Sequence, residues 1–139
     1  MAEKKIIAVV GATGLQGGGL VRAVMSDKNN GYSARAITRK VASEKALALK
    51  KLGAEVVAAD LDDLESLKKA FTGAYGAFCV TNFWEHFSPE KELAQATALA
   101  KAAKHAGIQH AIWSTLEDTR KWVPLNDDRM PTLMAKYKV

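Results

Sequence analysis

Cysteine occurs once in these 139 residues, at Cys79, so the chain closes no disulfide within itself. That residue falls in the apolar run AFCV, where a thiol is expected as a buried packing group rather than a nucleophile. His86, His105 and His110 are dispersed, and with one cysteine they make no metal-ligand spacing. No Ser-His-acid arrangement is present either. Tyrosine occurs at 32, 75 and 137, and none has a lysine four residues on: Tyr32 is followed by Ala36, Tyr75 by Cys79, and the chain ends before a partner for Tyr137. A Tyr-x-x-x-Lys pair, in which the lysine lowers the phenol pKa, is therefore missing. No apolar run approaches the ~20 residues of a membrane span. The opening Met1-Ala2-Glu3-Lys4-Lys5 leads straight into a strand with no secretory apolar stretch, so a cytoplasmic location is expected, with a nuclear one allowed.

Charge of one sign is also scarce in blocks. Lys and Arg number 20 against 15 Asp and Glu, a formal net charge of +5, but the signs alternate along most of the chain. The pairs Lys50-Lys51 and Lys68-Lys69 sit in helix-like segments beside acids, which reads as a solvated face rather than a nucleic-acid groove. The modest excess favours anionic ligands.

What the chain does have is organised around residues 6 to 19, IIAVVGATGLQGGG. A short apolar run breaks into glycines at Gly11, Gly14 and Gly17, and helical periodicity follows. This is strand, tight turn and helix N-terminus in succession. Gly11 allows the sharp turn, Gly14 lets backbone approach a pyrophosphate, and Gly17 lets the helix pack closely on the strand. The helix N-terminus then offers free N–H groups and its dipole to phosphates. The spacing G-x-x-G-x-x-G is one residue longer in its first gap than the commoner dinucleotide fingerprint.

The remaining pattern alternates strands and helices. A helix is expected over 16 to 26, with Leu15, Leu20, Val21, Val24 and Met25 at helical spacing, then a strand over 33 to 38. A helix over 43 to 52 has Ser43 as N-cap and Leu47 and Leu52 turned inward. A strand over 55 to 59 leads through Asp62-Asp63 into a helix ending at Phe71, with Leu64, Leu67, Ala70 and Phe71 on one face. The strand 75 to 80 is apolar throughout, as one covered on both faces should be. An aromatic loop, TNFWEHF, precedes the longest helix, 89 to 106, begun by Ser88-Pro89 and with Leu93, Ala96, Ala100 and Ala103 facing the sheet. The last strand is 110 to 114. Five strands with short βα connections require an α/β fold with a doubly wound parallel sheet, order 3-2-1-4-5. The ligand crevice then lies at the carboxyl ends of strands 1 and 4. The expected domain is 1 to 115; residues 116 to 139 fit the pattern poorly and read as an irregular tail beginning a further portion, before a sixth strand and a C-terminal domain.

The end of the second strand selects between dinucleotides. An NAD site usually carries an acid there for the ribose 2′-hydroxyl. This chain reads Thr38-Arg39-Lys40, with no acid until Glu44. Arg39 can hold a 2′-phosphate bidentately and Lys40 can add charge, which favours NADP(H), although a solvated turn would look the same in isolation. Asp60 and Leu61 are candidates for the adenine side, with helix capping by Asp60 or Asp62 as the structural alternative. Thr81 and Asn82 are candidates for the nicotinamide side. Phe83 and Trp84 either wall that side or pack under the loop, and Ser114 and Thr115 are the hydroxyls best placed to polarise a substrate.

GATGLQG (11 to 17), ITRK (37 to 40), GAEVVAADLDD (53 to 63), GAYGAFCVTNFWE (73 to 85) and WSTLED (113 to 118) together resemble the NmrA-like family, atypical members of the short-chain dehydrogenase/reductase superfamily. Gln16 and the VTNFWE string are the most specific parts of the resemblance, which runs from about Lys5 to the end. Within that family the chain resembles the NmrA-like domain-containing proteins that act as NADPH sensors. The resemblance implies a Rossmann fold binding NADP(H), with Gly11, Thr13, Gly14, Leu15, Gln16 and Gly17 on the pyrophosphate. It implies Arg39 and Lys40 on the 2′-phosphate, Asp60 and Leu61 on the adenosine side, and Thr81 and Asn82 on the nicotinamide side. It further implies a regulatory role, in which cofactor occupancy changes conformation and the binding of a protein partner, more than turnover. The alternative is an NADPH-dependent reductase of small molecules of the quinone- or isoflavone-reductase kind.

Overall fold

The computed structural model describes residues 3–116 and Lys121. The elements follow in strict alternation: β1 (Lys5–Val9), α1 (Leu15–Ser26), β2 (Tyr32–Thr38), α2 (Glu44–Lys51), β3 (Glu55–Ala58), α3 (Leu64–Phe71), β4 (Gly76–Cys79), a 3-10 turn (Phe83–Glu85), α4 (Pro89–His105) and β5 (His110–Trp113). All strand pairings are parallel, in the order β3-β2-β1-β4-β5, as the alternation requires. β1 is central, with Ala8 opposite Arg35 of β2 on one side and Ala77 of β4 on the other. Apart from Leu116 and Lys121 the expected tail lies outside the described residues, and so does a short stretch near Leu133 to Tyr137 whose sequence is compatible with a helix.

The sheet has a core on each face, and its strand residues divide between them with period two. Ala8, Val10, Ile37, Ala77 and Cys79 meet Leu67, Ala70 and Phe71 of α3 and Leu99 and Ala102 of α4. Val9, Ala34 and Ala36 meet Val21 of α1 and Leu49 of α2. Alanine predominates on the strands, so the helices lie close. The large buried side chains come mostly from the helices, and Phe71, Leu67 and Leu99, almost fully enclosed, each contribute about 1.5–3 kcal/mol of burial.

Side-chain caps start three of the helices. Ser43 accepts from the Ala46 N–H, Asp63 from Glu65 and Ser66, and Ser88 from Lys91, with Pro89 in the first turn of α4. Asp63 is thus the cap, not Asp60 or Asp62.

Two helix faces differ from expectation. Leu47 and Leu52 are exposed, and α2 rests instead on Ala46 and Leu49. Three residues apart, that smaller pair lies flush on β2 and β3, and Leu47 is carried to the solvent side. On α4 the buried stripe is Glu92, Gln95, Ala96, Leu99 and Ala102, while Leu93 and Ala100 are exposed. The helix is turned by one residue because Glu92 and Gln95 find polar partners inward, which offsets the cost of their burial.

Candidate functional site

The doubly wound order reverses between β1 and β4, and a cleft of about 590 Å³ opens there at the carboxyl ends of the strands. That is the size of a small-molecule site. Its floor is the glycine turn. Gly11 has φ +62°, a left-handed conformation that reverses the chain immediately after β1. A Cβ on Gly17 would lie 2.3 Å from the Gly11 carbonyl oxygen and 2.7 Å from its carbon, so only glycine lets α1 start this close to the turn. A Cβ on Gly14 would stand 3.2 Å from the same oxygen. Gly14 is the N-cap of α1 and brings no side chain to it, and the first turn of α1 carries no acid. Where the other three helices are capped by their own side chains, α1 leaves its N–H groups and positive dipole end to the cleft.

Of the residues expected in the site, Gly11, Thr13, Gly14, Leu15, Gln16, Gly17, Arg39, Asp60, Leu61, Thr81 and Asn82 line this one cleft. Lys40 does not: the chain turns away after Arg39, where the Lys40 N–H donates to Thr38 Oγ1 at 3.3 Å. Leu15 is 94% exposed, a large apolar side chain over the mouth rather than in the helix packing. Asp60 Oδ1 accepts from the Asp62 N–H at 2.9 Å, and the Asp60 N–H bonds Ser66 Oγ at 3.0 Å, which fixes the turn after β3.

Several lining residues are not legible as site residues in sequence. Arg39 Nη1 meets Glu85 Oε1 at 2.7 Å, joining the end of β2 to the 3-10 turn after β4. Asp62 is held by Gln95 Nε2 at 2.9 Å and by Lys91 Nζ at 3.3 Å, both from α4. The Gln95 hydrogen bond, with the Lys91 charge in support, lowers the Asp62 pKa below the ordinary carboxylate value. Beside them Thr81 donates to Glu92, which is 5% exposed. His86 Nε2 lies 3.5 Å from the other Glu92 oxygen, and the Ser88 N–H donates to His86 Nδ1 at 3.0 Å. Across the 3.5 Å gap neither His86 Nε2 nor this Glu92 oxygen has a hydrogen-bond partner among the described residues. Only the stripe Glu92–Gln95–Ala96–Leu99–Ala102, read by spacing with polarity ignored, signals this cluster.

Gln16 closes the far side: Ser114 Oγ, just past β5, donates to its Oε1 at 2.7 Å. An adjoining hollow of about 140 Å³, lined by Gln16, Thr81, Glu92, Ser114 and Thr115 among others, continues from the cleft. Phe83 is buried and packs edge-on against Trp84, His86 and Phe87, so the first aromatic of the loop anchors it while Trp84 lines the cleft. Tyr32 and Tyr75 contact each other with centroids 6.4 Å apart; one begins β2 and the other precedes β4. Both phenols are thus at the amino ends of the strands, across the sheet from the cleft.

The family model that matches this chain, over residues 3–139, is the NmrA-like family. The chain belongs to the NmrA-like family. An Aspergillus versicolor protein named NmrA-like family domain-containing oxidoreductase notA′ is 40% identical over 123 residues, covering 84% of this chain and 34% of its own length. The chain spans about a third of the length of the curated relatives it matches. Among solved structures, NmrA, a negative transcriptional regulator, superimposes with a TM-score of 0.76 at 30% identity, covering 96% of this chain and 41% of NmrA. NmrA has been solved with NAD and with NADP. The Citrobacter triphenylmethane reductase complexed with NADP(H) has a TM-score of 0.71 at 28% identity, covering 95% of this chain and 44% of that one. Regulator and reductase thus share this architecture.

Proposed function

We propose that this chain is the nucleotide-binding unit of an NADP(H)-responsive regulator, in which occupancy of the cleft, rather than turnover, is the signal. The observation that carries the reading is the glycine turn: a Cβ at Gly17 would collide with it, and α1 begins there uncapped, a cradle for a pyrophosphate. The complexes of NmrA with NAD and NADP and of triphenylmethane reductase with NADP(H) support a nicotinamide dinucleotide as the ligand. Arg39 lining the cleft at the end of β2, with no acid at that position, supports the 2′-phosphorylated form. In that reading Gly11, Thr13, Gly14, Leu15, Gln16 and Gly17 hold the pyrophosphate, Asp60 and Leu61 the adenosine, and Thr81 and Asn82 the nicotinamide side.

The bound dinucleotide would bring a hydride donor or acceptor to the cleft. The protein's part in a carbonyl reduction would be to orient the substrate and supply a proton. Neither described tyrosine approaches the cleft, and the likeness to NmrA, a negative transcriptional regulator, supports regulation over reduction. The oxidoreductase names of relatives favour the second reading, an NADPH-dependent reductase of quinones or similar small molecules, with the Thr81 hydroxyl on Glu92 and the Ser114 and Thr115 hydroxyls as groups that could polarise a substrate. NADPH oxidation followed with a panel of quinones and aldehydes separates the two. A regulator gives no turnover above the substrate-free rate; saturable, substrate-dependent oxidation overturns it.

A further inference from the structure

The cleft carries its own acid against the arginine that would select the cofactor. Arg39, just past β2, and Glu85, the last residue of the 3-10 turn after β4, are far apart in sequence and meet at 2.7 Å across the mouth. Their side chains remain 59% and 48% exposed, so the bridge is a weak one, of the kind that a better partner displaces. A phosphate is that partner: it carries more charge than a carboxylate and can take both arms of the guanidinium fork. Among the described lining residues the other lysine or arginine is Lys91, on α4, which meets Asp62 at 3.3 Å, whereas Arg39 stands at the end of β2. Arg39 is therefore the group for which a 2′-phosphate and Glu85 must compete.

The segment that bears Glu85 turns two aromatic rings towards solvent. Phe83 is buried and anchors it, but Trp84 and Phe87 are exposed and stack edge-on upon each other. Phe87 has φ +52°, the one described non-glycine residue in the left-handed region, a conformation that stores strain in a side chain of this size. Its N–H is tied back to the Phe83 carbonyl at 2.8 Å. The turn is fixed at Phe83, carries its strain at Phe87 and has the exposed Arg39–Glu85 pair between them, so release of that pair bears directly on residues 84–87.

We propose that Glu85 is an internal competitor for the 2′-phosphate: it occupies Arg39 when no phosphate is there, is displaced by NADP(H) and not by NAD(H), and so sets cofactor selectivity and reports the 2′-phosphate to residues 84–87. This rests on the reading of the cleft as a dinucleotide site. An unphosphorylated dinucleotide leaves the bridge intact, because its 2′-hydroxyl gives Arg39 nothing better than the carboxylate it already has.

The test is titration calorimetry of NADP⁺ and NAD⁺ on the wild-type chain, Glu85→Gln, Arg39→Gln and the double variant, with backbone amide resonances followed for 84–87. Glu85→Gln raises NADP⁺ affinity about two- to fivefold, the scale of an exposed ion pair, and leaves NAD⁺ affinity unchanged. In the Arg39→Gln background the same substitution has no effect. NADP⁺ moves the 84–87 resonances of the wild type, NAD⁺ does not, and ligand-free Glu85→Gln already shows the moved positions. An unchanged NADP⁺ to NAD⁺ ratio in Glu85→Gln overturns the proposal, as does a gain that persists without Arg39, which is general charge relief. Wild-type chain that binds neither dinucleotide contradicts the reading of the cleft itself, a separate failure.

Discussion

Ser114 and Gln16 are joined by a 2.7 Å hydrogen bond between residues 98 apart in sequence, tying the end of the edge strand β5 to the glycine turn after β1. With its amide oxygen engaged by the Ser114 hydroxyl, Gln16 is left to present its amide N–H groups to a ligand. Ser114→Ala should free Gln16 and weaken dinucleotide binding about two- to fivefold, while costing less than about 1.5 kcal/mol of stability because the bond is exposed. Calorimetry and a urea melt on the same variant measure the two effects. Unchanged binding would mean that Gln16 acts without this support.

Gly17 and Gly19 lie two residues apart in α1 and should respond to alanine with opposite signs. At Gly17 the new Cβ meets backbone at 2.3 Å and the turn must move, costing about 1–3 kcal/mol and disrupting the cradle. At Gly19 nothing lies within 4 Å, and replacing a helical glycine stabilises by about 0.5–1 kcal/mol. Melting temperatures of the two variants decide it; a stabilising Gly17→Ala would contradict the close packing of α1 on the turn.

Glu92 is the polar residue most deeply buried in α4, and it accepts from Thr81. Glu92→Ala leaves the Thr81 hydroxyl facing no acceptor and removes the carboxylate beside His86, and should destabilise by about 1–3 kcal/mol in denaturant unfolding. Glu92→Gln keeps one acceptor oxygen for Thr81 and should lose less. Equal losses would mean that volume, not hydrogen bonding, holds the site.

Cys79, 1% exposed, has its thiol pushed by burial from the ordinary 9.0 up to about 11. The unfolded chain releases this proton first, so the contribution of the buried thiol is fully present below pH 9 and is lost as pH rises towards 11, by at most about 1.4 kcal/mol per pH unit. Cys79→Ala should remove that part of the alkaline slope of stability. The native thiol should also resist alkylation at pH 8 until the chain unfolds. Rapid labelling of native protein would place Cys79 at an open surface instead.

The βα alternation made the topology legible in full, because strand order follows from short right-handed crossovers and not from side-chain detail. The glycine turn was legible for the same reason: Gly11 and Gly17 answer to backbone sterics within a few residues of themselves. The faces of α2 and α4 were harder to read. Apolar periodicity favours Leu47 and Leu93, whereas the fold buries Ala46 beside Leu49 and turns Glu92 and Gln95 inward towards Thr81 and Asp62. Those partners come from other elements, and nothing local in α4 announces them. Glu85 was hidden likewise, since its partner Arg39 reaches it only after two crossovers. Lys40 shows the converse: adjacency to Arg39 in sequence did not bring it to the same cleft.

Whether Arg39 makes the cleft prefer the 2′-phosphorylated dinucleotide is decided by titrating NADPH and NADH side by side into the wild-type chain and Arg39→Ala. NADPH should bind more tightly than NADH, and Arg39→Ala should lose about 1–3 kcal/mol for NADPH alone, the range of a charged hydrogen bond. Equal affinity for the two dinucleotides, or equal losses on removing Arg39, would contradict that preference.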